Sequence, residues 1–295
     1  MRKPTVDILM PTYEPQPEYL LEAIESILAQ TEGDWQLFIN DDASQTDVFD
    51  LVKHYLHDPR VHFSKNEQRL GIGGNWNTSL RKSNADYMQF LFQDDVWNTN
   101  YLEKTIDIMT NYTDISLVSV HHAYTCTNSI ETKGHYDFVN TYKKNHLQNG
   151  IQISALFLPQ WLRSGLYPNV IGEPSFVMMK RTLIEKVGAF REDLNQFLDV
   201  EYWIRCLRHT DWYYLDEHLG TFRVHKDGTS VRNYESGVGL TERFQCLWEC
   251  YKTFPQGSPE RRTLRNSVHI HLVHIVKQCV RRGLRKCRLG KGLLY

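Results

Sequence analysis

Two pairs of adjacent acids are the first residues in this chain that could do chemistry. Asp94 and Asp95 follow Tyr87-Met88-Gln89-Phe90-Leu91-Phe92-Gln93, and Asp41 and Asp42 follow Trp35-Gln36-Leu37-Phe38-Ile39-Asn40. In each case a short apolar run, read as a buried strand, ends in two carboxylates. Burying such a group is costly unless something positive meets it. A hard divalent cation takes oxygen ligands, and Mg²⁺ is commonly held by one or two carboxylates together with substrate phosphates. Acids at strand-to-helix turns also serve as helix N-caps, so either pair alone leaves both readings open. Asp199 opens an apolar-periodic segment at 197–207, where the start of a helix favours a carboxylate, and an N-cap role is equally open there. His225 follows the strand-like stretch 219–224.

The elements that must position these residues follow from the pattern of apolar side chains. Val6 to Met10 reads as a strand stopped by Pro11, and Thr12, Tyr13 and Glu14 lead into a loop containing Pro15 and Pro17. Residues 18–30 have helical spacing, 35–39 form a strand, 47–57 a helix and 61–63 a third strand. This alternation predicts an α/β fold with a mostly parallel sheet. Ligands of such sheets collect at the carboxyl ends of the strands, which brings Thr12 with Tyr13, Asp41 with Asp42, and Asp94 with Asp95 towards one crevice. Gly71-Ile72-Gly73-Gly74-Asn75 allows close backbone approach, with a helix starting at Asn75. The string does not follow the first strand and is no dinucleotide fingerprint, and the chain has no P-loop. Helix 99–110, strand 115–120, strand 176–179 and helix 182–187 follow. Residues 121–150 read as a polar, irregular, mobile loop over the site. Its His121, His122, His135 and His146 lack zinc spacing and read as surface residues. The aromatic stretch 151–170 reads as core, with an acceptor pocket as the alternative.

The totals narrow the function. Among 295 residues, 34 basic and 35 acidic side chains nearly cancel, which gives no global case for nucleic-acid binding. Six cysteines without a CxxC pair fit a reducing cytosol rather than a disulfide or zinc framework. The N-terminus lacks the apolar core of a signal peptide, and no run approaches the roughly 18 apolar residues of a membrane span. From about residue 231 helical patterns take over, dividing the chain into 1–230 and a helical, basic extension, 231–295. The last 35 residues carry ten Lys or Arg and no Asp or Glu. With Val268, Ile270, Leu272, Ile275 and Val276 beside them, they read as an amphipathic surface for anionic lipid, or as a solvated helix packed on the core. The expectation is a cytoplasmic protein, peripheral on the inner face of the cell membrane.

Taken in order, Val6 through Tyr13, Asn40-Asp41-Asp42-Ala43-Ser44, Gly71 through Leu80, Gln93-Asp94-Asp95, Asp199 through Arg205 and Arg223-Val224-His225 resemble the family 2 glycosyltransferases with the GT-A fold, over roughly residues 5–230. The resemblance implies inverting transfer of a sugar from a nucleotide-sugar donor, UDP- or dTDP-linked, to a saccharide or lipid-linked oligosaccharide, with Mg²⁺ or Mn²⁺. It implies that Pro11 and Tyr13 border the nucleobase, Asp42 meets its edge with Asp41 beside it, and Thr12, Glu14, Gly73 and Asn75 belong to the same donor-binding set. Asp94 would lie against the ribose and metal, Asp95 would be the direct metal ligand, His225 would help bind metal or diphosphate, and Asp199 would be the general base. Two departures stand out: Gln93 occupies a place where many relatives have another acid, and Leu198 replaces a Glu often found before the base, which makes Glu201 a rival. A catalytically inactive nucleotide-binding protein of the same fold is the alternative function. A dinucleotide oxidoreductase is disfavoured by the missing glycine fingerprint.

Overall fold

A computed structural model describes residues 5–126, 130–225, 228 and 238–281. The central strand, β1 (Val6–Thr12), is buried along its whole length, as a largely apolar strand covered on both faces should be, and its one acid, Asp7, accepts from Ser83 Oγ and the Asn84 and Ala85 amides. It pairs in parallel with β2 (Trp35–Asp41) and with β4 (Tyr87–Phe90), and β2 pairs in parallel with β3 (Val61–Lys65). Beyond β4 the direction changes. Strand β9 (Val177–Lys180) runs antiparallel between β4 and β6 (Leu117–Val120), β10 (Trp212–Leu215) is parallel to β6, and β8 (Gly150–Gln152) is an antiparallel edge. The strand order is β3-β2-β1-β4-β9-β6-β10-β8. A smaller sheet places β11 (Gly220–Val224) between β5 (Val96–Trp97) and β7 (Ala123–Cys126).

Successive strand residues alternate between two apolar layers, as the period-2 geometry of a strand demands. Leu9, Leu117 and Met179 join one layer, while Ile8, Met10, Val118 and Met178 join the other. Helices α1 (Pro17–Leu28) and α4 (Tyr101–Asn111) cover the second layer. The first is covered by α7 (Arg181–Val187), α8 (Leu198–Cys206), α9 (Val238–Thr253) and α10 (Pro259–Arg281). Residues 47–57 divide into a short helix, α2 (Val48–Val52), and a 3₁₀ turn, Lys53–His57.

Three expectations are corrected. Helix α3 (Gly71–Lys82) begins at Gly71, not Asn75, so the glycines form its first turn. Strand β4 ends at Phe90, and the chain turns before it reaches the two acids. Residues 121–150 are not an irregular loop: they contain β7 and a helix, α5 (Ile130–His146). The polarity of α5 hid it, because among the described side chains of residues 133–150 only Val139, Lys143 and Leu147, on one stripe, are buried. His122 is likewise fully buried rather than a surface histidine.

The aromatic stretch becomes α6 (Ser154–Arg163), with Trp161, Leu162 and Leu166 in the core. The C-terminal helices share that core: Phe244, Cys246, Leu247, Cys250, Leu264, Val268 and Ile275 belong to the same layer as α8. Of the two readings of the α10 apolar residues, packing on the core takes Val268 and Ile275, while Ile270 and Val276 are exposed. The basic residues beyond Arg281 lie outside the described residues. No described helix is long and apolar enough to cross a membrane.

Candidate active site

The ends of β1 and β2 meet in register, with Thr12 opposite Asp41. The loops that follow contain Glu14 at φ 42° and Ala43 at φ 57°, a left-handed conformation uncommon for residues other than glycine. Cross-ties hold both. Ser44 Oγ accepts from Glu14 N at 2.8 Å and donates to Asp41 Oδ1 at 2.5 Å. The Glu14 carboxylate accepts from Gln45 N at 2.6 Å and Thr46 Oγ1 at 2.7 Å. Asp42 accepts from Asn66 Nδ2 at 2.9 Å, Leu70 N at 2.8 Å and Gly71 N at 2.9 Å. Asp41 and Asp42 are therefore buried residues that shape the crevice wall and anchor the start of α3. Pro11 and Thr12 are buried in β1, whereas Tyr13 is partly exposed and lies beneath the guanidinium of Arg69, 4.1 Å from its ring centroid.

Two further members of the expected donor-binding set are buried among protein groups. A Cβ on Gly73 would lie 2.6 Å from the carbonyl oxygen of Arg191, so this glycine permits close packing of α3 on the 190–192 loop. Asn75 is 4% exposed, accepts from Asn40 Nδ2 at 2.5 Å and donates to Thr12 O at 3.3 Å. Both are buried, Gly73 where α3 meets the 190–192 loop and Asn75 where it meets β1 and β2.

The acids at 94 and 95 separate because the chain turns, with Asp95 N donating to Phe92 O at 3.2 Å. Asp95 points inward and is fully buried. It accepts from Ser175 Oγ at 2.5 Å and from Arg223 N at 3.1 Å. Burial, with the Asp94 charge beside it, pushes its carboxyl well above the usual range, against the pull of those two donors. Asp94 points outward, with Oδ2 3.0 Å from His225 Nε2, and both side chains keep some exposure. The edge of the Tyr19 ring supports His225 at 5.3 Å between centroids. Gln93 accepts from Tyr13 N at 2.9 Å and donates to Tyr13 O at 3.2 Å. Each oxygen of Asp95 thus meets one protein donor, while Asp94 faces His225.

Asp199 lies in the first turn of α8, one residue past Leu198, and is not the N-cap, which is Phe197. Between buried Leu198 and Val200 it keeps partial exposure. Its Oδ1 accepts from Val200 N at 2.7 Å and its Oδ2 from Asn169 Nδ2 at 3.0 Å. Burial raises its carboxyl to about 7, with further upward contributions from the charges of Glu173 and Glu242 and an opposing one from the Val200 amide. Glu201 is engaged by Arg205, whose Nε lies 2.9 Å from Oε1. The two halves of the site meet in the loop 169–175, where Asn169 holds Asp199 and Ser175 holds Asp95.

Residues 7–188 match the family described as Glycosyl transferase family 2, more than half of the chain. The chain belongs to glycosyl transferase family 2. It is a glycosyltransferase that uses a nucleotide-sugar donor. An uncharacterized glycosyltransferase of Methanocaldococcus jannaschii is 28% identical over 228 residues, 76% of this chain and 72% of the relative. A UDP-Glc:alpha-D-GlcNAc-diphosphoundecaprenol beta-1,3-glucosyltransferase of Escherichia coli is 32% identical over 129 residues, 43% of this chain and 49% of the relative. Among solved structures, TarS 1–349 of S. aureus in complex with UDP-GlcNAc superposes with a TM-score of 0.67 at 13% identity, covering 91% of this chain and 71% of that one. A mannosyltransferase of Pyrobaculum calidifontis in complex with GDP-Man and Mn²⁺ gives a TM-score of 0.63 at 14% identity, covering 97% and 77%. The fold of the transferase is GT-A.

Three residues beside the candidate site went unread in the sequence. Ser175 and Glu173 stand in Gly172-Glu173-Pro174-Ser175, where an acid between glycine and proline at the start of a strand is a detectable signal. Asn169 carries no sequence signal, because its role depends on the fold bringing α8 alongside. Among the described residues no group of three or more His, Cys, Asp or Glu could hold a metal alone. The carboxylate and imidazole of Asp94 and His225 do suit a hard or borderline divalent cation that takes its other ligands from a diphosphate and water.

Proposed function

We propose that the enzyme is an inverting transferase that moves a sugar from a UDP- or dTDP-linked donor to a hydroxyl of a saccharide or lipid-linked oligosaccharide, with Asp199 as general base. The observation that carries this reading is the carboxylate of Asp199, partly exposed in the first turn of α8 and held by Asn169 Nδ2 at 3.0 Å, where burial pushes it up to about 7. A general base works best when its pKa lies near the operating pH. Asn169 fixes one oxygen, and the carboxylate takes the proton of the acceptor hydroxyl. The acceptor oxygen forms its bond to C1 of the sugar as the bond from C1 to the diphosphate oxygen breaks. That electron pair leaves on the nucleoside diphosphate. One displacement of this kind inverts the anomeric centre, and no second carboxylate is needed as nucleophile.

Asp94 and His225, rather than Asp95, would hold Mg²⁺ or Mn²⁺. A cation bound there supplies positive charge against the charge developing on the departing diphosphate. Asp95 then acts as the buried post that fixes the turn and the Arg223 backbone. Tyr13, partly exposed and stacked under Arg69, would border the nucleobase. A lipid-linked acceptor fits the name of the E. coli relative. It would place the enzyme at the inner face of the cytoplasmic membrane, with Ile270 and Val276 and the basic C-terminus towards the lipid.

The test is a panel of nucleotide sugars, with and without Mn²⁺, assayed for transfer and for donor hydrolysis, with the product anomer read by proton NMR. Turnover with inverted configuration is expected. Retained configuration would overturn the mechanism, and binding without turnover across the panel would favour the non-catalytic nucleotide binder.

A further inference from the structure

The chemistry above leaves unused a buried cluster of charge beside the base. Glu173 stands in a wall of side chains that are otherwise closed to solvent. Ile171, Gly172, Pro174 and Ser175 are buried, while the Glu173 side chain keeps 19% of its surface open. Its Oε2 lies 2.9 Å from His122 Nε2 and 3.5 Å from the Tyr124 hydroxyl. Behind it Lys143 reaches in from α5, fully buried and with no hydrogen-bond partner for its ammonium. Gly172 borders this arrangement. It sits at φ 114°, and a Cβ there would lie 3.6 Å from His122 Cε1 and 3.7 Å from Lys143 Nζ. Burial works against the Glu173 charge, but His122 and Lys143 outweigh it and hold the carboxyl down at about 2.

Neutralising Lys143 would require no access to solvent, yet Glu173 has it. It lies four residues from Asn169, whose Nδ2 bonds both Asp199 Oδ2 and Gly172 O, at 3.0 and 3.2 Å. The carboxylate is thus fixed to the same short loop that fixes the base. On its other side Tyr124 stacks on Tyr136 from α5, with ring centroids 4.2 Å apart. An ionised carboxylate is an acceptor with several lone-pair sites. Beside an aromatic wall, it suits a sugar ring that offers hydroxyl donors along its edge and C–H groups on its face.

We propose that Glu173 anchors the acceptor-sugar subsite, accepting a hydrogen bond from a hydroxyl of the acceptor saccharide other than the one that Asp199 deprotonates. This rests on the transfer reading given above. A site built to bond a substrate hydroxyl discriminates strongly against an analogue lacking it, so Glu173 is a specificity determinant for the acceptor and not for the donor.

The experiment compares the wild type with Glu173→Gln and with Glu173→Asp, which keeps the charge opposite Lys143 but shortens the reach by one methylene. The acceptor probes are p-nitrophenyl glycosides and their singly deoxygenated counterparts, used with the donor that turns over in the panel. Both variants are expected to raise the acceptor KM at least tenfold, with donor KM and nucleoside diphosphate Kd within about twofold of wild type. One deoxy glycoside should abolish the difference between wild type and variants. An unchanged acceptor KM, or equal losses for acceptor and donor, would overturn the proposal. Absence of turnover by the wild type would instead count against the transfer reading itself.

Discussion

Gln93 shows how one side chain sets the crevice. Its amide both accepts from Tyr13 N and donates to Tyr13 O, which an acid at this place could not do. Glu at 93 has the same shape but no donor, so the Tyr13 carbonyl loses its partner at a cost of roughly 1–3 kcal/mol. Gln93→Glu is expected to weaken nucleoside diphosphate binding about tenfold, measured by calorimetry. Asp199 carries a second residue-scale consequence. A base must be deprotonated, and burial raises this carboxyl to about 7, so kcat/KM of the wild type should rise with pH and level off above about 7. A rate already level from pH 5 would contradict it. Asp199 was legible in the sequence because the helical spacing from Phe197 to Leu207 placed it in a first turn. The division of labour between Asp94 and Asp95 was not legible. Adjacent acids are equivalent on paper, and only the turn after Phe92 decides which one faces Ser175 and which one faces His225.

At the scale of elements, α3 is held at both ends of its first turn. Asp42 receives Gly71 N, and Gly73 lets the helix backbone meet Arg191 O. Gly73→Ala introduces a methyl group where no side chain can easily yield, and overpacking of this kind costs about 1–3 kcal/mol. A fall in Tm of several degrees is expected by calorimetry. An unchanged Tm would mean that the 190–192 loop yields freely. Strands β1 and β2 and helix α1 were readable from apolar periodicity alone, because each buries a complete face. Helix α5 was not, since one stripe of Val139, Lys143 and Leu147 leaves too weak a period, and the lysine in it reads as a surface residue.

Across the whole molecule, the C-terminal helices reach the chemistry without touching it. Glu242 of α9 is buried and accepts from the backbone N–H groups of Asn195, Gln196 and Phe197, each at 2.9 Å. Those three groups lead directly into α8, so α9 sets the angle at which Asp199 is presented. Glu242→Ala leaves three backbone donors, that of Phe197 buried, without their acceptor. It is expected to lower Tm and to cut kcat at least tenfold while nucleoside diphosphate still binds, as read by thermal shift and steady-state kinetics. This dependence was illegible in the sequence, where residues after about 230 resembled nothing in the family and their apolar residues could equally face lipid or core. The fold class itself was legible, because the alternation of strands and helices leaves few other architectures.

The most direct test is the transfer rate of Asp199→Asn, measured beside its affinity for the nucleoside diphosphate. Loss of the general base alone removes about 10²–10⁴-fold in rate. The expected result is a fall of that size with the nucleoside diphosphate Kd within about threefold of wild type, and transfer by Asp199→Asn at the wild-type rate would contradict the assignment.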